Sequence, residues 1–364
     1  MNVITIIVTY NPDLKRFSQG FSSALMETDH VIVVDYNSQN KDLIKALCSS
    51  ATNCEFIEMF FNSGIAHALR VGINYARKYE AKWFLFLDDD TILLKGSMAK
   101  ALEIVDKLPE IIKQRIGTIL LGSEEGYCNI KEIRYGIFSG TLIKGELVSK
   151  VCCRDEFFLD SADHDMYSRV RELGYLTLTI YCKLVNHRLG KMMWIPVASS
   201  ILRKPTYYEP PWRYYYIVRN STKLLIEGRI DFLFYLHQIT DWGIKIIFVD
   251  GFKKFLRSLG LGLIHAFLDK FSYLDRFKVR VLKMDCKGCE YDVINEVDVL
   301  RLFDIVKIEY SGYLRGKTYH ELKSTLEKLG FTCRVWAHNE NALRIGLDRH
   351  GMLTCVKNRE GLIR

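Results

Sequence analysis

The sequence predicts an α/β fold built on a mostly parallel sheet, and three observations carry that expectation. Short β-branched or apolar runs alternate with helical patterns along residues 4–90, the order of strands and crossover helices in a sheet covered on both faces. Each run stops at polar residues, so polar strand ends gather on one edge, where ligands of such sheets bind. The fourth run, Trp83-Phe84-Leu85-Phe86-Leu87, ends in three consecutive aspartates, Asp88, Asp89 and Asp90.

The first run, Ile4-Thr5-Ile6-Ile7-Val8-Thr9, is closed by the turn signal Tyr10-Asn11-Pro12-Asp13. The second, Val31-Ile32-Val33-Val34, is closed by Asp35-Tyr36-Asn37-Ser38, and the third, Glu55-Phe56-Ile57-Glu58, precedes Asn62-Ser63-Gly64. A helix is expected next, with Ile65, Ala68, Leu69, Gly72, Ile73 and Ala76 along one side. On a strand, Asp88 and Asp90 project together while Asp89 points away. Two such carboxylates at the mouth of a buried strand are costly unless a cation or a binding site occupies them. Two oxygen ligands with open coordination positions suit Mg2+ or Mn2+ shared with a substrate's phosphates. The plainer alternative is an N-cap aspartate and a solvated turn.

The ordered set Val8-Thr9-Tyr10-Asn11-Pro12-Asp13, Val34-Asp35-Tyr36-Asn37-Ser38, Asn62-Ser63-Gly64-Ile65-Ala66 and Leu87-Asp88-Asp89-Asp90 resembles the family 2 inverting glycosyltransferases, in particular the rhamnosyl- and galactofuranosyl-transferases. The resemblance runs over residues 3–270 and implies a GT-A, Rossmann-like catalytic domain. It implies donor contacts at Thr9, Tyr10, Asp35, Asn62, Asp88 and Asp89, with Asp35 hydrogen-bonding the nucleoside, and a metal held by Asp88 and Asp90. The triple-aspartate form is closer to UDP-galactofuranose users than to dTDP-rhamnose users.

The match continues downstream. Ile137-Phe138-Ser139-Gly140-Thr141-Leu142-Ile143 resembles the acceptor-side strand, where the small Gly140 lets substrate approach the backbone. Phe157-Phe158-Leu159-Asp160-Ser161-Ala162-Asp163-His164-Asp165 opens a helix through Tyr167, Val170 and Leu173 to Gly174. Aspartates at a helix start also act as caps and dipole partners. The resemblance places the general base at Asp163, a second, acceptor-side acid at Asp165 and the family's arginine at Arg169. It places a metal- or diphosphate-binding histidine at His187, within Val185-Asn186-His187-Arg188-Leu189-Gly190. Pro211-Trp212-Arg213-Tyr214-Tyr215-Tyr216-Ile217-Val218-Arg219-Asn220 resembles a stretch of the rhamnosyltransferase branch. Its aromatics fit an acceptor sugar and its arginines, Arg219 among them, fit phosphate. Packing of an amphipathic helix explains the tyrosines equally well.

The expected reaction is single displacement from a nucleotide-diphosphate sugar to a glycan or lipid-linked acceptor, with Asp163 taking the acceptor proton. Rival readings are a methyltransferase whose N-terminal domain only binds nucleotide sugar or glycan, a membrane scaffold, and a nucleotidyltransferase. The last would want a basic, glycine-rich loop in place of Tyr10-Asn11-Pro12-Asp13.

Composition is consistent with this. The 364 residues, 49% hydrophobic, can bury one large core and a smaller module. The net charge of +8 suits nucleotide diphosphates or anionic lipid headgroups, and no nucleic-acid-binding signature accompanies it. The N-terminus enters a strand at once, so no signal peptide is expected. No apolar run approaches the ~20 residues of a membrane span. The ten cysteines do not read as a disulfide framework, and a cytoplasmic location, peripheral on the inner face of the membrane, is expected.

Three segments are expected: a GT-A domain at 1–229, an amphipathic helical segment at 230–272 and a further unit at 273–364. In the second, Phe232, Trp242, Phe248, Phe252, Phe255 and Phe267 are interleaved with Lys245, Lys253, Lys254, Arg257 and Lys270. That composition suits a peripheral membrane contact, and it equally suits packing on the core or a homo-oligomer contact. In the third, Leu282-Lys283-Met284-Asp285-Cys286-Lys287-Gly288-Cys289-Glu290 is similar to the motif of FkbM-type methyltransferases. Only the later half of that fold is covered. The glycine-rich loop for S-adenosylmethionine is missing upstream, so the resemblance implies a partial, inactive methyltransferase-like domain. Zinc at Cys286 and Cys289 is disfavoured for want of a second such pair.

Overall fold

Side chains alternate across a strand, and the first four strands use both faces for burial. The computed structural model describes residues 2–59, 62–187, 190–195, 199, 203, 205–268, 281–300, 303–337 and 340–357. Arg188, Leu189, Lys270 and the start of the strand expected at 278–285 lie outside the described residues.

The chain forms two units, Met1–Leu274 and Asp275–Arg364. In the first, β1 (Val3–Thr9), α1 (Leu14–Glu27), β2 (His30–Asp35), α2 (Lys41–Ser49), β3 (Cys54–Glu58), α3 (Ile65–Ala76) and β4 (Trp83–Asp88) follow the expected alternation. Next come β5 (Ile92–Leu93), α4 (Ser97–Asp106), α5 (Glu110–Arg115), β6 (Ile116–Leu121), β7 (Ile130–Glu132), β8 (Thr141–Lys144), α6 (Gly145–Val151), α7 (Ala162–Glu172) and β9 (Leu176–Ile180). Then follow β10 (Val185–Asn186), β11 (Lys191–Met193), β12 (Thr206–Tyr208), α8 (Pro211–Ile226), α9 (Phe232–Asp250) and α10 (Phe252–Phe267).

The main sheet has the order β3-β2-β1-β4-β8-β6-β9-β7, with β8 and β7 antiparallel to their neighbours. Ile6, Val8, Ile32, Val34, Phe84 and Phe86 face α3, α6 and α7, while Val3, Ile7, Val31, Val33, Leu85 and Leu87 face α1, α2 and α4. This three-layer arrangement is the mostly parallel α/β fold expected. Registers Thr9↔Asp35 and Val8↔Asp88 set the ends of β1, β2 and β4 side by side. Asp13 caps α1 by accepting from the Arg16 amide at 3.1 Å. Helices α9 and α10 fall within the first unit and pack with α8 through Tyr214, Val218 and Ile246.

The second unit carries β13 (Val281–Met284), α11 (Glu290–Val293), α12 (Val297–Leu300), β14 (Ile305–Ser311), α13 (Tyr319–Lys328), β15 (Phe331–Trp336), α14 (Glu340–Ile345) and β16 (His350–Lys357). Its sheet order is β13-β14-β16-β15, with only β13 and β14 parallel. Buried Glu290 accepts from the Gly288 and Ser311 amides, both at 2.7 Å, which closes the loop after β13.

The ten cysteines correct the sequence expectation by pairing as Cys48–Cys54, Cys128–Cys182, Cys152–Cys153, Cys286–Cys289 and Cys333–Cys355. Spacing along the chain conceals such pairs. Cys333 and Cys355, for example, become directly opposite only when β15 and β16 align.

Candidate active site

The loops after β1 and β2 hold one another. The Thr9 hydroxyl donates to Asp35 Oδ2 at 2.8 Å, and the amides of Asn37 and Ser38 donate to Oδ1 at 3.1 and 2.8 Å. Both Thr9 and Asp35 are fully buried, so their first task is to shape this edge. Asn11 Oδ1 accepts from the Gln39 amide at 2.7 Å, and the Asn11 amide donates to Ser38 Oγ at 2.8 Å. On this tied base Tyr10, 42% exposed, stacks on Tyr36 with centroids 5.1 Å apart and planes 8° apart.

The aspartates depart from the expected strand geometry. β4 ends at Asp88, and the Thr91 amide donates to the Asp88 carbonyl at 3.2 Å, so Asp89 and Asp90 occupy a tight turn. The turn, not strand alternation, brings Asp88 and Asp90 together and sends Asp89 to accept from the Tyr10 amide at 3.2 Å. Directly after the turn, β5 pairs antiparallel with β10, Asn186 opposite Ile92, and this delivers His187. Its Nδ1 lies 3.3 Å from Asp90 Oδ1 and its Nε2 4.0 Å from Asp88 Oδ2. One ligand atom from each of Asp88, Asp90 and His187 falls within 4.8 Å of the others. Two carboxylates and an imidazole form a donor set that fits Mg2+ or Mn2+.

Polar neighbours fix this cluster. Thr91 Oγ1 shares a 2.6 Å hydrogen bond with His187 Nδ1 and one of 2.7 Å with Ser139 Oγ, which in turn accepts from the Asp88 amide at 3.0 Å. Arg16 of α1 donates to the Asp90 carbonyl at 2.7 Å and to the Asn186 carbonyl at 2.8 Å, clamping both loops. Burial raises the Asp88 carboxyl above its ordinary range; Asp90 and Asp163 add to the rise, while His187 and Arg213 oppose it. Burial also pushes Asp89 up to about 7, against the Tyr10 amide that favours its anion. For His187, burial disfavours the cation, but the Asp90 hydrogen bond and the Asp88 charge outweigh it and raise the pKa. A divalent metal bound here would therefore have to displace protons that Asp88 and His187 hold to higher pH than usual. Mn2+ affinity, measured by calorimetry at mildly acid and mildly alkaline pH, is expected to rise with pH; a flat profile would remove these groups as ligands.

The other wall is built at the start of α7. Asp160 and Ser161 have left-handed backbones, φ 60° and 61°, a costly geometry for residues other than glycine. Asn220 of α8 holds it by donating to the Leu159 and Asp160 carbonyls at 2.7 and 2.9 Å. Arg213 forks onto the Asp160 carboxylate at 3.1 Å and pairs with Glu209 at 2.7 Å. Asp163, in the first turn of α7, accepts from the His164 amide at 2.8 Å through Oδ1. Its negative charge adds to the upward shift of the Asp88 and Asp160 carboxyls.

Several sequence expectations change here. Arg219 is 0% exposed: it donates to Asn220 Oδ1 at 2.9 Å and to the Glu156 carbonyl at 3.0 Å, with its guanidinium over the Tyr215 and Tyr216 rings. It therefore supports the site and does not reach an acceptor. Asp165, 1% exposed, lies among Arg169 at 2.9 Å, Arg229 at 3.4 Å and Arg154 at 3.6 Å, and is structural by the same reasoning. Gly140 is buried, and a Cβ there would make only ordinary contacts; its φ of +84° is what calls for glycine. Asn62 Oδ1 accepts from the Gly64 amide at 3.1 Å, and a Cβ on Gly64 would collide with the Phe158 carbonyl, so this segment abuts the wall before α7. Sequence reasoning missed Arg16, Thr91, Ser139, Asp160 and Glu209 as site-builders. Asp160 and Arg213 are 53 positions apart, and no local pattern couples them.

Residues 4–144 match the profile described as Glycosyl transferase family 2. RfbF, a dTDP-rhamnosyl transferase of Shigella flexneri, is 25% identical over 266 residues, spanning 65% of this chain and 84% of its own. Among solved structures, TarS 1-349 of S. aureus in complex with UDP aligns at 13% identity and a TM-score of 0.43, covering 83% of this chain and 81% of that one. GalNAc-T7 with UDP, GalNAc and Mn2+ aligns at 12% identity and a TM-score of 0.43, covering 51% and 43%. Residues 4–144 thus carry a family 2 glycosyl transferase domain, and the protein is a glycosyltransferase.

Proposed function

We propose that this glycosyltransferase moves one sugar, with inversion, from a nucleotide-diphosphate sugar to a hydroxyl of a glycan or lipid-linked acceptor. The observation that carries the reading is the convergence of Asp88, Asp90 and His187 within 4.8 Å on a site whose electrostatics include Asp163. Asp88, Asp90 and His187 would hold Mg2+ or Mn2+, which would supply the positive charge that eases departure of the diphosphate. Tyr10 offers its exposed face to the nucleoside, and Asp35 keeps that loop in shape. Asp163 accepts the proton of the attacking hydroxyl, on the side of the sugar opposite the leaving group. Arg213, compensated by Asp160 and Glu209, keeps a fixed positive charge near the diphosphate. Attack and departure on opposite faces need no enzyme nucleophile.

The tail, 275–364, is proposed to be a non-catalytic module resembling half of a methyltransferase. Of its Cys286, Cys289 and Glu290 group, both carboxylate oxygens already accept backbone amides.

A panel of UDP- and dTDP-sugars incubated with the full chain tests the donor reading. Release of nucleoside diphosphate from at least one, faster with Mn2+, is expected. No release from any of them, with or without acceptor extracts, would sink it.

A further inference from the structure

We propose that the corner between α9 and α10 docks this protein on an anionic lipid surface. Helix α10 carries more apolar surface than its packed face uses, unlike a helix at home in a globular surface. Its buried positions are the small residues Ser258, Gly262 and Ala266, at four-residue spacing, and Gly262 lies so close to Val218 of α8 that a Cβ would not fit. Phe255, Leu259 and Leu263 pack beside them, but other large apolar side chains are left in the open: Phe252 is 58% exposed, Leu256 49% and Phe267 70%. At 100° per residue these three share one side of the helix, and exposed Lys253 and Arg257 lie along its margin. Phe248 and Val249, exposed at the end of α9, extend the apolar surface across the Gly251 corner.

Charge selects the occupant. Lys254 is paired with Asp250 of α9 at 3.2 Å, while Lys253 and Arg257 face no acidic residue within 252–267. Two copies meeting through this face about a two-fold axis would set these cations against themselves. An anionic bilayer complements them and takes the aromatic and aliphatic side chains into its headgroup boundary. No helix among the described residues is long and apolar enough to cross a membrane, so the contact lies in the interface plane.

Flotation of the full chain with vesicles of phosphatidylcholine alone, or phosphatidylcholine mixed with phosphatidylglycerol, tests this. Binding to the mixed vesicles is expected, weakened by salt and at least about tenfold weaker in both Phe252→Ser/Leu256→Ser and Lys253→Glu/Arg257→Glu. Circular dichroism and nucleotide-sugar hydrolysis without vesicles should be unchanged in both variants. Because flotation reads only the surface, it stands whether or not a donor sugar is found. Absence of flotation overturns the proposal, as does equal binding to neutral vesicles. A salt-insensitive dimer that the Phe252/Leu256 variant dissociates would overturn it in favour of a self-contact.

Discussion

Asp163→Asn is expected to lower sugar transfer by roughly 10²–10⁴-fold, the usual contribution of a general base, while leaving donor binding intact. Asparagine is nearly isosteric and still presents an oxygen where Asp163 accepts from the His164 amide, so the start of α7 should hold. What disappears is a group able to take a proton. The measurement is turnover alongside nucleoside diphosphate affinity: the first should collapse and the second persist. Unchanged turnover would remove Asp163 from the mechanism. The role would then not pass to Asp165, which is buried among three arginines. Loss of both affinity and fold would make Asp163 a structural cap.

The second large effect is expected from Asp90→Asn. In the unaltered protein, calorimetric affinity for UDP or dTDP in Mn2+ should fall at least about tenfold after EDTA, because carboxylates beside a diphosphate repel it without an intervening cation. Asp90→Asn removes one anionic ligand and the acceptor that faces His187 Nδ1 at 3.3 Å. Its affinity should be weak in both conditions, with an unchanged circular dichroism spectrum, since Arg16 contacts the Asp90 carbonyl and not its side chain. Tight, metal-independent binding in both proteins would exclude a cation at this turn.

Residues on a single strand or in a single loop were legible in the sequence. Apolar runs of the right length, each closed by a polar turn, located β1 to β4 and set Asp35 and Asp88 on one edge. The pairing of Asp88 with Asp90 was anticipated, but through the wrong geometry. A strand and a tight turn both bring residues two apart together, and only the backbone path separates them. His187 was placed by family resemblance; the physical reason for its position is the short β5–β10 ribbon, which no periodicity announces. Arg219 and Asp165 were misjudged because a charged side chain in sequence reads as exposed, whereas here each is buried with hydrogen-bonding or ionic partners.

By itself, then, the sequence determined the layered α/β architecture and the edge on which polar strand ends gather, because strand burial and turn formation are governed by residues close together in the chain. The tertiary structure alone decided which acids stay accessible, how the cysteines pair, and that Asn220 and Arg213 of α8 brace the strained turn before Asp163. Those outcomes depend on contacts between segments tens of residues apart, whose meeting is set by the packing of the whole domain.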